Sequence, residues 1–224
     1  MKVVIAGGGR AGLSVAIHLL GAGHAVTLLD RDAEVARAAF EMHGLVALAG
    51  DGTDPRLLHD AGMPRADVAV AMLPRDADNL AFAALSRACG AKRIMVRVKD
   101  ETYRAIYKDT GVDRIISETE VFIGALATAI EHESVRTSMF LGNGGAAAFE
   151  LQLTPGAQIA GRTVSEIAAD PAFPRSCVFA GLYEPSGEIR APRGNSVIAP
   201  LATLLLVAQR REISSVIEFM LRPA

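Results

Sequence analysis

The first residues that could do chemistry are three glycines spaced to bind phosphate. The segment Gly7-Gly8-Gly9-Arg10-Ala11-Gly12 fits the pattern G-x-G-x-x-G and follows a short apolar run. Where a strand turns into a helix, Gly7 permits the tight bend, Gly9 leaves room for a pyrophosphate, and Gly12 lets the helix pack on the strand. Free N–H groups at the helix start, at Arg10 and Ala11, would face the phosphate. The alternative is a glycine-rich turn without a ligand.

An acidic residue follows at the spacing expected for ribose recognition. Asp30 lies 18 residues after Gly12, at the end of the second predicted strand. A carboxylate there accepts hydrogen bonds from ribose hydroxyls and disfavours a 2′-phosphate, so we expect NAD(H) or another adenine nucleotide, ATP or ADP, over NADP. Arg31 beside it could soften that preference. The alternative is that Asp30 only caps the next helix, although Asp32 could do so instead.

Further candidates follow the third, fourth and fifth predicted strands. The carboxyl ends of parallel strands line the ligand crevice of such a sheet, so we expect these residues to complete the site. The candidates are Asp51, Gly52, Thr53, Leu73, Arg75, Asn79 and Arg97. The alternatives are a simple Asx turn at Asp51 and ordinary surface charge at Arg97.

The sequence shows no recognisable catalytic set. Tyr103 is followed four residues later by Tyr107, so no Tyr-x-x-x-Lys pair is present. The five histidines fall in predicted helices or near their ends, away from the strand ends where hydride chemistry would occur. Motifs such as G-x-S-x-G and H-E-x-x-H are also absent. A nucleotide site without catalytic residues that would convert the nucleotide favours a non-enzymatic sensor. The alternative is a small NAD(P)-dependent oxidoreductase.

The elements that must position these residues alternate between strand and helix over residues 1–118. Short apolar runs ended by Gly or Asp predict strands, and the segments between them predict helices. Such alternation is typical of right-handed βαβ units on a parallel sheet. We therefore predict an α/β fold whose first domain, residues 1–118, is a Rossmann-like doubly wound sheet that binds the nucleotide.

A different pattern follows residue 118. Residues 119–135 predict one long helix, and the small residues from Leu141 to Ala148 predict a linker, so residues 119–147 form a crossover helix and linker. Residues 148–224 predict a small α+β subdomain with a hairpin turn at Ser186-Gly187. Its expected strands are residues 149–153, 177–183 and 201–208.

The composition excludes several classes of protein. The chain has 224 residues, 50% hydrophobic and 21% charged, which is typical of a globular protein. A formal net charge of −2 argues against a nucleic-acid partner. Residues 11–29 carry no charge, but Gly21 and Gly23 interrupt them, so we expect no direct membrane insertion. The apolar run at residues 3–6 is too short for a signal peptide, and two widely separated cysteines suit the cytoplasm.

These motifs, in this order, resemble the RCK/KTN nucleotide-binding family. The resemblance covers essentially the whole chain. The matching segments are residues 7–12, Gly23-His24 before the strand ending at Asp30, Gly50-Asp51-Gly52-Thr53, Asp76 with Asn79, residues 111–116, residues 161–163 and residues 192–195. Two departures stand out: Gly52 occupies a position where the family usually has alanine, and no proline accompanies Glu118 or Glu120.

The resemblance implies a cytosolic gating subunit of a Trk/Ktr-type potassium uptake system. NAD(H) or ATP/ADP would change the angle of a homodimer, which assembles into a higher ring on an integral-membrane transporter subunit at the inner face of the membrane. The crossover helix would join the two partners. A divalent or monovalent cation at the dimer interface would be held by Glu118 or Glu120. Some relatives bind a cyclic dinucleotide in the second subdomain, where Ile167 and Arg175 could line the crevice.

Overall fold

The polypeptide folds into two units, Met1–Glu118 and Thr119–Ala224. The structure is a computed structural model and describes residues 1–142, 144–183 and 188–223. The hairpin turn predicted at Ser186-Gly187 lies outside the described residues.

The first unit is a six-stranded parallel sheet in the order β3-β2-β1-β4-β5-β6. Its strands are β1 (Lys2–Ala6), β2 (Ala25–Asp30), β3 (Val46–Ala49), β4 (Val68–Ala71), β5 (Ile94–Val98) and β6 (Arg114–Ser117). Successive strands run outward from β1 in one direction and then from β4 in the other. The connections that follow β1 and β4 therefore run on opposite faces of the sheet. The position between these two strands is the topological switch point, where such sheets bind ligands.

Helices connect the strands and cover both faces of this sheet. They are α1 (Arg10–Gly21), α2 (Ala33–His43), α3 (Pro55–Asp60), α4 (Asp76–Ala88) and α5 (Tyr103–Asp109), with a 3₁₀ turn at Met63–Arg65. Asp32 caps α2 by accepting a hydrogen bond from the Glu34 N–H at 2.9 Å. Asp54 caps α3 in the same way, one residue before Pro55. Both helices therefore start where their cap residues predict.

Residues of β1 alternate between two apolar clusters. Val3 and Ile5 pack in one cluster with Ala16 of α1, whereas Val4 packs in the other with Phe82 of α4. Because both faces are covered, the strand is apolar at nearly every position. The predicted Rossmann-like parallel sheet is confirmed.

The second unit is built on a five-stranded antiparallel sheet in the order β10-β9-β11-β8-β7. The strands are β7 (Val135–Leu141), β8 (Ala146–Gln152), β9 (Val178–Tyr183), β10 (Ile189–Arg190) and β11 (Thr203–Gln209). Its helical segments are α6 (Glu118–Phe122), a π-helical turn (Ile123–Ala127), α7 (Thr128–Glu131), α8 (Val164–Ala168), a 3₁₀ turn (Arg210–Glu212) and α9 (Ile213–Leu221). Phe149, Leu204 and Phe219 lie in its apolar core, and Ile167 is fully buried there. The predicted α+β class of this subdomain is confirmed.

The helix predicted over residues 119–135 is shorter than expected, and the predicted linker is a β-hairpin. The helical segment ends at Glu131, because His132 adopts extended backbone angles (φ −139°, ψ 96°). Residues 135–141 then form β7, which pairs with β8. Gly142 and Gly144, both at positive φ, lie in the connection between the two strands. Small residues are as typical of a hairpin turn as of a flexible linker, so composition misled the prediction.

The uncharged stretch at residues 11–29 divides into α1 and β2. Gly23 lies between the two elements at φ +82°, where the chain reverses. Among the described residues, no helix has both the length and the apolar character required to span a bilayer.

Candidate functional site

Two glycines of the β1–α1 turn are required by packing. Gly7 has φ +108°, and a Cβ atom there would lie 2.5 Å from the Met72 carbonyl oxygen. A Cβ atom on Gly12 would lie 1.8 Å from the Gly7 carbonyl oxygen. Helix α1 and the residue after β4 therefore contact the turn too closely for any side chain at these positions.

Gly9 differs, because none of the residues that the structure describes requires a glycine there. Its backbone is extended (φ −61°, ψ 174°), and a Cβ atom would meet no atom of the described residues within 4 Å. Gly9 is the N-cap of α1, a 12-residue helix, and as a glycine it has no side chain to accept hydrogen bonds from the first N–H groups. Gly9, Arg10 and Ala11 are all exposed, so the first N–H groups of the helix face open space. This turn fits a bound phosphate, which needs both these donors and the space beside Gly9.

Asp30 ties the end of β2 to this turn. Its Oδ2 accepts a hydrogen bond from the Gly8 N–H at 2.6 Å, and its Oδ1 accepts one from the Asp32 N–H at 2.9 Å. Asp32, and not Asp30, caps α2. The half-buried Asp30 carboxylate thus lies beside the glycine turn and keeps lone pairs for ribose hydroxyls.

The residues after β3 form an Asx turn joined to an ion pair. Asp51 Oδ1 accepts hydrogen bonds from the N–H (2.9 Å) and hydroxyl (2.8 Å) of Thr53, while its Oδ2 lies 2.7 Å from Arg31. The Thr53 bonds, with a smaller contribution from Arg31, lower the pKa of the Asp51 carboxyl. Gly52 is buried, and a Cβ atom there would approach that of Ala6 to 3.2 Å. The Asx turn is present, and it leaves the Arg31–Asp51 pair exposed at the sheet edge.

Asn79 lies behind the sheet edge and not on it. The side chain is fully buried, its Oδ1 accepts from the Leu73 N–H (2.8 Å), and its Nδ2 donates to the carbonyls of Leu73 (3.2 Å) and Arg97 (3.3 Å). Its amide therefore fixes the segment after β4, and the predicted direct contact with a ligand is corrected to a positioning role. Leu73 is itself 9% exposed at this edge.

Arg97 also holds this segment. Its guanidinium donates to the carbonyls of Met72 (3.2 Å) and Leu73 (3.1 Å), and it lies 3.1 Å from the Glu118 carboxylate. Only 17% of the side chain is exposed. The alternative of an ordinary surface charge is therefore wrong, and Arg97 supports the site from within the protein.

The predicted cation ligands, Glu118 and Glu120, both lie on α6. Glu118 faces the Arg97 guanidinium, which already neutralises it. Within residues 1–142, 144–183 and 188–223, no three His, Cys, Asp or Glu side chains come together as metal ligands. A cation site at these glutamates remains a prediction for a dimer.

Two further features of the edge concern α4. Arg75, 70% exposed, makes a bidentate pair with Asp78 at 2.8 Å, which raises the pKa of the guanidinium.

Asp76 has a role that sequence reasoning missed: its carboxylate accepts from the Asp100 N–H (3.0 Å) and the Tyr107 hydroxyl (3.0 Å). Burial raises the pKa of Tyr107, so this hydroxyl is a structural donor and not an acid or base. Asp76 and Asn79 both lie in the first turn of α4, but their spacing alone does not show which groups their side chains contact.

The fold and the turn together define a class: a Rossmann-like nucleotide-binding domain followed by a small α+β subdomain. The chain belongs to the TrkA-N domain family, whose sequence model matches residues 3–118.

Curated relatives extend the similarity beyond that domain. A Trk system potassium uptake protein TrkA homolog from Methanothermobacter thermautotrophicus is 31% identical over 199 residues, covering 88% of this chain and 89% of the relative. A second, from Archaeoglobus fulgidus, is 29% identical over 217 residues, covering 95% of this chain. This chain spans only 48% of the Archaeoglobus protein.

Solved structures share the fold across both units. The crystal structure of the GsuK RCK domain has a TM-score of 0.65 at 18% identity, covering 100% of this chain and 48% of its own. A structure of the GsuK channel bound to NAD has a TM-score of 0.64 at 18% identity, and this chain spans 40% of it. These structures add the shared fold, while the TrkA-N match and the Methanothermobacter relative confirm the family resemblance.

Proposed function

We propose that this chain is a nucleotide-responsive regulatory subunit of a potassium or other monovalent-cation transport system. The observation that carries the proposal is the open phosphate turn at Gly9 in a member of the TrkA-N family. Its curated relatives are named as Trk potassium uptake proteins over 88% and 95% of this chain. The subunit would work in the cytoplasm, on the inner face of the membrane, bound to an integral-membrane transporter subunit.

The ligand is NAD(H) or, with the same phosphate contacts, ATP or ADP. The N–H groups at the start of α1 would hold the phosphates, and Asp30 would accept hydrogen bonds from the ribose. The GsuK channel, which shares this fold, has been solved bound to NAD, and this supports NAD(H). The nucleotide acts only through its difference in affinity between two shapes of the assembly, and a tens-fold difference corresponds to about 2 kcal/mol per site.

A regulatory role is favoured over an oxidoreductase by the groups at the sheet edge. Tyr107 is buried and donates to Asp76, and Arg75 and Arg97 are held by internal partners. None of these residues is placed to exchange a proton with a substrate. Turnover followed by nicotinamide absorbance across common substrate classes would overturn this assignment.

The first test is nucleotide binding by the full chain. We expect calorimetric titration with NAD, NADH, ATP and ADP to give an affinity of about 1–100 μM for at least one of them, corresponding to about 5–8 kcal/mol. Potassium uptake by vesicles containing a Trk-type transporter subunit should then change with that nucleotide only when the chain is present. Binding of none of the four would overturn the proposal.

The helical segment Glu118–Glu131 supports a homodimer. Five of its apolar side chains are exposed on a single chain: Val121, Phe122, Ile123, Leu126 and Ile130. Exposed apolar side chains gathered along one helical segment are expected to be covered by a partner, and a second copy that contributes the same segment fits them. A dimer would also bring two copies of Glu118 and Glu120 together for a cation, and dimers would assemble into the ring.

Charged substitutions on this helix should therefore dissociate the protein. We expect the wild type to elute as a dimer or larger species, and the variant Leu126→Glu with Ile130→Glu to shift toward the 23.5 kDa monomer in light scattering. Met42→Glu is the matched control, because Met42 is 74% exposed on α2. A monomeric wild type, or a double variant of unchanged mass, would contradict the homodimer.

A further inference from the structure

A second cavity, separate from the glycine turn, lies within the second unit. It has a volume of about 620 Å³, which falls in the range of small-molecule sites. Helix α7, the β7–β8 hairpin and the start of α9 surround it. Its lining includes Phe140, Arg210, Arg211, Ile213 and Ser214. We call it the α9 cavity.

The α9 cavity is lined by two arginines that are not engaged by acidic side chains. Among the described residues, neither Arg210 nor Arg211 forms an ion pair. The Arg210 guanidinium carbon lies 4.4 Å from the centre of the Phe140 ring, which is a cation–π contact. Glu131 supplies a single opposing carboxylate in the lining. Two such guanidinium groups beside one carboxylate favour an anion.

Further polar groups line the cavity beside the arginines. Helix α9 has nine residues, and its N-cap, Glu212, makes no side-chain cap hydrogen bond. The Ser214 hydroxyl, in the first turn of α9, lies 3.5 Å from His132 Nε2. Both of these side chains line the cavity. The helix start adds a positive dipole end to the charge of the arginines.

We propose that the α9 cavity binds a small organic phosphate. The phosphate would lie on Arg210, Arg211 and the start of α9, because a guanidinium fork and a helix start both match phosphate oxygens. The apolar part of the ligand would pack on Phe140 and Ile213. This site is distinct from the glycine turn and does not depend on the proposed nucleotide response.

The test uses phenyl phosphate, which combines a phosphate with an aromatic ring. We expect saturable calorimetric binding to the full chain carrying Gly9→Val, with slower hydrogen–deuterium exchange in residues 209–216. Substituting both Arg210→Gln and Arg211→Gln should weaken binding by about tenfold or more, since charge-assisted hydrogen bonds are lost. Both arginines are exposed, so this variant should fold normally. Arg193→Gln, at an arginine outside the cavity lining, should bind phenyl phosphate as well as its parent does.

Five results would overturn the assignment, and the first four come directly from the binding and exchange measurements. The first is that binding of phenyl phosphate does not saturate at 10 mM, which is about the weakest affinity expected of a specific site. The second is that the double arginine variant binds with unchanged affinity, and the third is that exchange protection is confined to residues 7–12. The fourth is that benzoate binds more tightly than phenyl phosphate. Binding seen only when Leu126→Glu and Ile130→Glu are also present would show that a second copy covers the cavity, and would likewise overturn it.

Discussion

Substituting valine for Gly9 should abolish nucleotide binding and leave the fold intact. Valine can adopt the φ of −61° and ψ of 174° found at this position, and its Cβ atom meets no protein atom within 4 Å. The side chain would instead fill the space beside the exposed N–H groups of α1. We expect the affinity for NADH to fall by about a hundredfold or more, equivalent to about 3 kcal/mol. Calorimetric titration measures this loss, and the thermal unfolding midpoint should move by less than about 3 °C.

Gly21→Val is the matched control for this experiment. Gly21 also has open space around it, but it lies at the opposite end of α1 from the phosphate turn. Its affinity for NADH should equal that of the wild type. Retention of wild-type NADH affinity by Gly9→Val would mean that the phosphates do not approach Gly9.

The opposite behaviour is expected at Gly12, three residues further along the same turn. In Gly12→Ala the new methyl group would lie 1.8 Å from the Gly7 carbonyl oxygen, a backbone atom that cannot rotate away. Helix α1 must then move from β1, which disrupts the buried contacts of Val3 and Ile5 with Ala16. We expect a loss of about 3–5 kcal/mol in the free energy of unfolding, which is large for one methyl group.

Urea unfolding followed by circular dichroism measures this change. Gly9→Ala adds the same methyl group to the same turn where there is room for it, and it should cost less than about 1 kcal/mol. If Gly12→Ala unfolded at the wild-type urea concentration, the close contact between α1 and the turn would not be needed for stability.

The parallel sheet and its glycine turn were predictable because their signals are local. Each strand of the first unit is a short apolar run with a turn residue at its end, and Asp32 and Asp54 mark helix starts within two residues. Gly7 and Gly12 belong to a six-residue pattern whose geometry is fixed by neighbouring backbone atoms.

The roles of Asn79 and Arg97 were not predictable, because they depend on packing between distant segments. Arg97 reaches carbonyls 24 and 25 residues earlier in the chain, and Asn79 contacts both the β4 and β5 ends. Sequence spacing places such residues at strand ends but does not show which way they face.

The β7–β8 hairpin was missed for a related reason. Its strands pair residues that are close in sequence, but Ala146 to Ala148 have little intrinsic preference for a strand. They become extended because Ala147 is buried in the second unit's core, a condition that only the folded sheet supplies.

The three glycines of the turn should also diverge differently over evolutionary time. Gly7 and Gly12 are under selection for folding, whatever the chain binds, since any side chain there collides with backbone. Gly9 is free of that constraint, so under the proposed function it would be selected through nucleotide binding. A lineage that lost its response to nucleotide would therefore keep glycine at positions 7 and 12 and accumulate larger residues at position 9. The residue type at position 9 would therefore indicate, in each descendant, whether nucleotide binding has been retained.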